Sequence, residues 1–387
     1  MQNPPPQLSL IPHFQALPDP RVPRSQAHEL IDRLVISRGT LLCGGESFND
    51  LEDFGLARFE GFKSFLSLRH GIPSHDPFTR VFAALDPQAC GACFIRWTPS
   101  LRQAVAPESV ALDGRALRRA LHADPSVKDV VRAWAEPNGR GLGQWKGADQ
   151  SHEITAVSER LRVLELAGGI VTVDAMGSQK QIAPAIIEAD ADYVLALKGN
   201  QETVPEEVKT FLDAALAEGS AARPAGAELT QGAATLAVLA TRAKDHGRLE
   251  TRRYYQSTEL NGFADRTKWA GLQSVGLVEA RREVGGKRTV ERRYDLSSLA
   301  LDGATFARAL RGHWGVENQR HWVLDVWFRE DQSRARTGYA AENRATLRRL
   351  ALNLLKRERT KKRGIKGQQL IAGWDHAGRL RLLGVEI

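Results

Sequence analysis

At 387 residues the chain exceeds what one ordinary core organises, so two or three structural units are expected. Apolar residues make up 42% of it, which excludes a disordered chain, and three cysteines exclude a disulfide scaffold. A net charge of +8 favours a polyanionic partner, because lysine and arginine gain by releasing counterions from phosphates.

The first dozen residues are proline-rich and lack the charged-then-apolar pattern of a secretion signal. No stretch nears the roughly 18 uninterrupted apolar residues of a membrane span, so a cytoplasmic protein is expected. Residues 8–101 read as a helical domain. Ile31, Leu34, Val35, Leu41 and Leu42 recur at helical spacing. Ser47 and Asp50 have capping-box spacing ahead of Leu51 and Phe54, and Ser74-His-Asp-Pro77 reads as another helix start. Cys90 and Cys93 have zinc or redox spacing, but no second pair completes a tetrahedral site, and small buried helical cysteines are the commoner case.

After Pro107 the pattern changes. Glu108–Asp113 is a short apolar run closing on an aspartate. Val130–Ala135 and Leu142–Trp145 flank an Asn-Gly turn and read as a hairpin. A helical stretch over 154–166 precedes Gly169-Ile-Val-Thr-Val-Asp174, the strongest strand of the chain, again closing on an aspartate. A helix over 181–189 and a buried strand over 193–197 follow. The succession predicts a mixed α/β sheet with one antiparallel side. Residues 213–240, rich in alanine and glycine, read as a helix end and a variable connection. Strands are expected over 250–257 and 272–299, the latter around Gly285-Gly286, which makes a β insertion of about 240–300. Everything after Thr305 reads as helical. Leu347, Leu350, Ala351, Leu354 and Leu355 form an apolar face, with Arg344, Arg348 and Lys356 along another side.

Two strands closing on acids matter because ligands of α/β sheets gather at strand ends. Asp113 and Asp174 could meet there as oxygen ligands for magnesium. Against this, Asp113-Gly114 is also an ordinary turn dipeptide. His313, Glu317, His321 and Asp325 are spaced by four and share a helix face, which is either a solvated polar face or a set of ligands. The two histidines are eight residues apart, unlike the zinc pattern in which four separate them.

Several motifs then stand in order: Leu112-Asp-Gly-Arg-Ala-Leu-Arg118, Val171-Thr-Val-Asp-Ala-Met-Gly177, Tyr193-Val-Leu-Ala-Leu-Lys-Gly-Asn-Gln201, Asp245-His-Gly-Arg-Leu-Glu-Thr-Arg-Arg253, His313-Trp-Gly-Val-Glu-Asn318 and Phe328-Arg-Glu-Asp331. As a set they resemble the H-repeat-associated transposases of bacterial insertion sequences, within the DDE superfamily. Pro18-Asp-Pro-Arg21 and Gly71–Asp76 resemble that family's N-terminal helical region. The resemblance implies a ribonuclease-H-like catalytic domain over 107–358, with a β insertion before the helix bearing the last acid, and a basic tail over 359–387. It implies Asp113, Asp174 and Glu317 as the catalytic carboxylates, holding Mg2+ or Mn2+ as two ions.

Sixty-one residues separate the first two acids and 143 separate Asp174 from Glu317, which leaves room for the insertion. Around the last acid related transposases carry Tyr-x2-Arg-x3-Glu-x6-Lys; here the positions hold Leu310, His313, Glu317 and Leu324, so only the glutamate matches. Asp325 and Asp331 are reserve candidates. Arg115, Arg118, Lys198, Asn200, Arg248, Arg252 and His313 are candidate contacts to double-stranded DNA, as is the basic run Lys356–Arg363. The implied function is cleavage of insertion-sequence ends and their joining to target DNA by a homodimer in the bacterial nucleoid. The alternative is a nuclease-only or inactive DNA-binding relic of such an enzyme.

Overall fold

The computed structural model describes residues 9–101, 109–115, 130–135, 140–146, 161, 164, 166–173, 180–197, 208–210, 212–213, 236–245, 248–260, 263–315, 322–358 and 360–385. The chain divides into two compact units, one of 1–106, 115–147 and 316–387, the other of 107–114 and 148–315.

The first unit is mainly helical. Its N-terminal part supplies α1 (Ile11–Phe14), α2 (Leu30–Leu42), α3 (Phe48–Ala57), α4 (Phe59–Lys63), α5 (His75–Ala84) and α6 (Pro87–Trp97). The capping box forms as expected. Asp50 N–H donates to Ser47 Oγ at 3.0 Å and Ser47 N–H donates to Asp50 Oδ2 at 2.8 Å, which satisfies two otherwise orphaned donors of α3. Cys90 and Cys93 are buried on α6, and burial pushes both thiols up. A hairpin of Val130–Ala135 and Arg140–Lys146 (β2 and β3; β1 belongs to the other unit) pairs antiparallel. The Asn-Gly turn expected between them lies outside the described residues.

The helix α10 (Ala340–Arg357) is the axis of this unit and packs against α2, α5 and α6. Enclosed by those neighbours, it buries polar as well as apolar residues, Arg344 at 5% and Arg348 at 2% exposure. The side of the helix that carries Arg344 and Arg348 is therefore covered as well. Asn343 donates to the carbonyls of Phe82 at 3.0 Å and Leu85 at 2.8 Å, which ties the end of α5 to α10. Residues 328–339 are not helical, contrary to the expectation of continuous helix after Thr305. They run through a short 3-10 turn at Glu330–Gln332 and a left-handed Arg329. Beyond α10, α11 (Ile365–Trp374) and α12 (His376–Leu383) pack on α2, where Arg38 Nη2 donates to the carbonyl of Leu383 at 2.6 Å.

Among the described residues the second unit holds seven strands in the order β1-β4-β5-β9-β8-β7-β6: β1 (Ser109–Arg115), β4 (Ile170–Val173), β5 (Asp192–Ala196), β6 (Leu236–Asp245), β7 (Arg248–Ser257), β8 (Ser274–Val284) and β9 (Lys287–Ser297). β1, β4 and β5 are parallel; from β9 outward every pairing is antiparallel. This is the expected ribonuclease-H-like mixed sheet, continued by a β insertion. The strand β6 replaces the last five residues of the connection read over 213–240, of which 214–235 lie outside the described residues. Its alanines are poor strand formers, but pairing with β7 over its whole length overrides propensity. α7 (Ile182–Glu188) joins β4 to β5.

The helix α8 (Gly303–Gly315) lies across β4, β5, β6 and β7, burying Phe306, Ala307, Ala309 and Leu310 against Ile170, Val194, Tyr254 and Val278. Its start is fixed by two polar contacts. Asp302 N–H donates to the buried Gln256 Oε1 at 2.9 Å, and Thr305 N–H donates to Asp302 Oδ1 at 2.9 Å. Gly276 on β8 makes room for the ring of Phe306, which a Cβ there would overlap. Gly276→Ala is therefore expected to destabilise the chain by about 1–3 kcal/mol through overpacking, read as a lower urea midpoint at unchanged m-value.

Candidate active site

The parallel pair β1–β4 sets the geometry of the strand ends. Every register pair is offset by 61 residues, from Ser109↔Ile170 to Leu112↔Val173. The same offset separates Asp113 from Asp174. Asp113 lies in β1, whose backbone the structure describes to Arg115. Asp174 follows Val173 in the chain but lies outside the described residues, as do Glu317, Arg118, Lys198 and Asn200. Among the described residues no group of three or more His, Cys, Asp or Glu stands close enough to hold a metal ion.

The described part of the site is the face of the sheet beneath α8. Thr172, 1% exposed in β4, and His313, near the end of α8, are joined by a hydrogen bond of 3.0 Å between Oγ1 and Nδ1. A threonine in a strand otherwise made of isoleucine and valine is the sequence signal for this contact, overlooked because threonine is also a good strand former. Next to His313, the Trp314 ring is flanked by two guanidiniums. Arg252 lies 4.5 Å from the ring centroid and Arg293 5.1 Å. Arg252 also bonds Glu250 at 3.1 Å, so this candidate DNA contact is engaged within its own sheet. Arg248 opens β7 opposite Asp245. The two reserve acids, Asp325 in α9 (Trp322–Val326) and Asp331 in the 3-10 turn, belong to the first unit.

Sequence reasoning also missed Asp295. It lies in β9, opposite Ala196 of β5 and Gly276 of β8. Opposed residues share a face, so Asp295 faces α8 with Gly276 and Thr172. Its carboxyl is 2% exposed and Oδ2 has no hydrogen-bond partner among the described residues. Burial pushes its pKa up to about 7, against a smaller pull from Arg293. The unfolded chain releases this proton near 3.8 and the folded chain near 7, so the folded state holds more protons in between and loses stability as pH rises. Asp295→Asn should remove a slope of up to about 1.4 kcal/mol per pH unit. Its unfolding midpoint should match the parent below pH ~4 and exceed it above pH ~7, measured by urea titration across pH.

Three comparisons bear on this site. A family model described as the transposase DDE domain matches residues 145–354, and one described as DDE_Tnp_1-associated matches residues 11–98. Asp174 and Glu317 fall within the first range, whereas Asp113 precedes it. The chain is 33% identical to YncI of Escherichia coli O157:H7 over 364 residues, which is 92% of this chain and 90% of that protein. It is 32% identical to the H repeat-associated YhhI of Escherichia coli (strain K12) over 375 residues, 95% of each. Both relatives carry provisional transposase names. Among solved structures it is similar to the piggyBac transposase synaptic complex with hairpin DNA, at a TM-score of 0.41 and 13% identity, covering 91% of this chain and 73% of that one.

Proposed function

Because the chain belongs to the DDE transposase family, we propose that it cleaves the ends of an insertion sequence and joins them to target DNA, with Asp113, Asp174 and Glu317 as the catalytic carboxylates. The observation that carries this reading is the bond between Thr172 and His313. In the chain Asp174 is two residues beyond Thr172 and Glu317 is four residues beyond His313, so the bond joins the two elements that lead to these acids. The constant offset of β1 and β4 equals the 61 residues between Asp113 and Asp174, which supports Asp113 as a partner acid.

Carboxylates are hard oxygen donors and suit Mg2+ or Mn2+. Two bound ions would supply an activated water or DNA 3′-hydroxyl and neutralise charge on the phosphodiester. The chain's own residues hold the donors. Asp113 lies in β1, Asp174 follows its parallel partner β4 in the chain, and His313 ties α8, which precedes Glu317, to β4. Arg115, Arg118, Lys198, Asn200 and Arg248 are proposed as contacts to duplex DNA around these strand ends. Two ends must be joined, so the reaction is proposed to run in a dimer on DNA.

The test is a nicking and joining assay with labelled terminal repeats taken from the DNA that flanks the gene. Alanine at Asp113, Asp174 or Glu317 should each cut Mg2+-dependent nicking by on the order of 10^3, about 4 kcal/mol of lost transition-state stabilisation. Nicking that survives the Asp174 change would sink the assignment, and nicking without joining would mark a nuclease. A parent chain that binds these ends without nicking them would be the inactive relic. Thr172→Val keeps the side chain's shape but removes its hydroxyl. It should slow nicking about 10- to 100-fold and raise the Mg2+ concentration needed for half-maximal rate.

A further inference from the structure

The first unit contains a cleft of about 680 Å³, within the usual range of about 300–1,000 Å³ for ligand sites. It is bounded by the start of α3, the segment 329–337 and the first half of α10. Five arginines line it, Arg329, Arg334, Arg336, Arg344 and Arg348, against one acid, Glu46. The acid is already engaged, 3.4 Å from Arg329. Arg334 and Arg336 are exposed, and alternate residues of an extended stretch put both at the rim.

The floor is less ordinary. Arg344 and Arg348 are one helical turn apart, 5% and 2% exposed, and line the same cleft. Arg344 Nη2 and Arg348 Nε are buried without a hydrogen-bond partner among the described residues. Arg344 rests on the face of Phe48 at 4.6 Å, which orients the guanidinium without satisfying its protons. Burial first, and Arg348 second, push Arg344 down to about 9; Asp50 and Glu46 pull the other way. Arg349, by contrast, is fully buried yet paired with Glu330 at 3.2 Å. Desolvated guanidiniums facing an open cleft stand in deficit of an anion, because a buried charge is tolerated when it is paired. Planar forks of donors match phosphate oxygens.

We propose that this cleft is a phosphate-binding site for the backbone of duplex DNA, separate from the carboxylates and serving to hold the DNA rather than cut it. The DNA source rests on the transposase reading; the phosphate chemistry rests on the cleft itself. Rim and floor arginines together grip one phosphodiester, with the floor pair in contact with its oxygens.

The test is fluorescence anisotropy of the full-length chain with a labelled DNA duplex across KCl concentrations, in EDTA so that metal binding plays no part. Arg334→Gln/Arg336→Gln, at exposed positions, should keep the parent's unfolding midpoint, weaken duplex binding by at least about tenfold and lower the slope of log K against log salt by about 1. Arg344→Met should raise the unfolding midpoint, since it removes a buried unsatisfied charge, while weakening duplex binding; a purely structural arginine would not move the two in opposite directions. Asp174→Asn should neither weaken duplex binding nor lower its salt slope, since it removes a negative charge, which separates this site from the carboxylates. If the parent fails to nick but the cleft variants still lose duplex binding and salt slope, the cleft stands and the catalytic reading falls. Parent-like affinity and slope in the cleft variants would overturn the proposal. So would inorganic phosphate stabilising the parent, but not Arg344→Met, while duplex binding is the same in both; that result would make it a free-anion site.

Discussion

Helix α8 can slide along a sheet face made of aliphatic side chains at little cost, because apolar burial is non-directional. Three contacts remove that freedom. Gln256 and Asp302 hold its first turn, Phe306 drops into the space left by Gly276, and His313 meets Thr172 at its far end. The last of these carries the greatest consequence. It is a polar bond formed in a buried row, where an unmade bond would leave the hydroxyl desolvated, so the helix has one favourable translation and one rotation. The proposed third acid, Glu317, follows His313 by four residues in the chain.

Much of this architecture was legible from residue patterns. The runs ending at Asp113 and Asp174 announced two buried strands, and both exist in parallel with the expected neighbour at 192–196. Capping chemistry at Ser47 and the paired glycines at 285–286 marked their helix start and turn correctly. The failures share a cause. Strand β6 is rich in alanine, and its stability comes from a partner strand distant in information though near in sequence. The polar face of α10 carries arginines that any helical projection assigns to solvent, because a single helix cannot reveal that three others enclose it. Asp295 reads as one charged residue in an Arg- and Glu-rich hairpin, and its burial follows only from the register with Ala196 and Gly276. Asp113 and Asp174 were proposed from strand context and motif, and Glu317 from the family resemblance. Thr172, which bonds His313, was hidden by its ordinary role as a strand former.

The two units solve the burial of charge differently. The second neutralises several arginines within the hairpins: Glu250 meets Arg252 and Arg282, and Glu279 meets Arg281 and Arg292. Those surfaces are laced with ion pairs of small individual worth. The first unit buries guanidiniums on one helix and compensates only some of them. A central helix with incompletely matched charge gives up folding free energy, and such an arrangement persists where an incoming anion restores the balance.

The β insertion leaves the parallel sheet through a narrow seam. β9 meets β5 over Val194↔Ser297 to Ala196↔Asp295 alone, whereas β7, β8 and β9 pair with one another nearly end to end. At the far end of β8 and β9, Gly285 and Gly286 both have positive φ and a side chain at either would meet nothing within 4 Å. The hairpin tip is therefore a place where the chain can be lengthened, split or given a reporter group without disturbing the strand ends, a handle for following the molecule on its substrate.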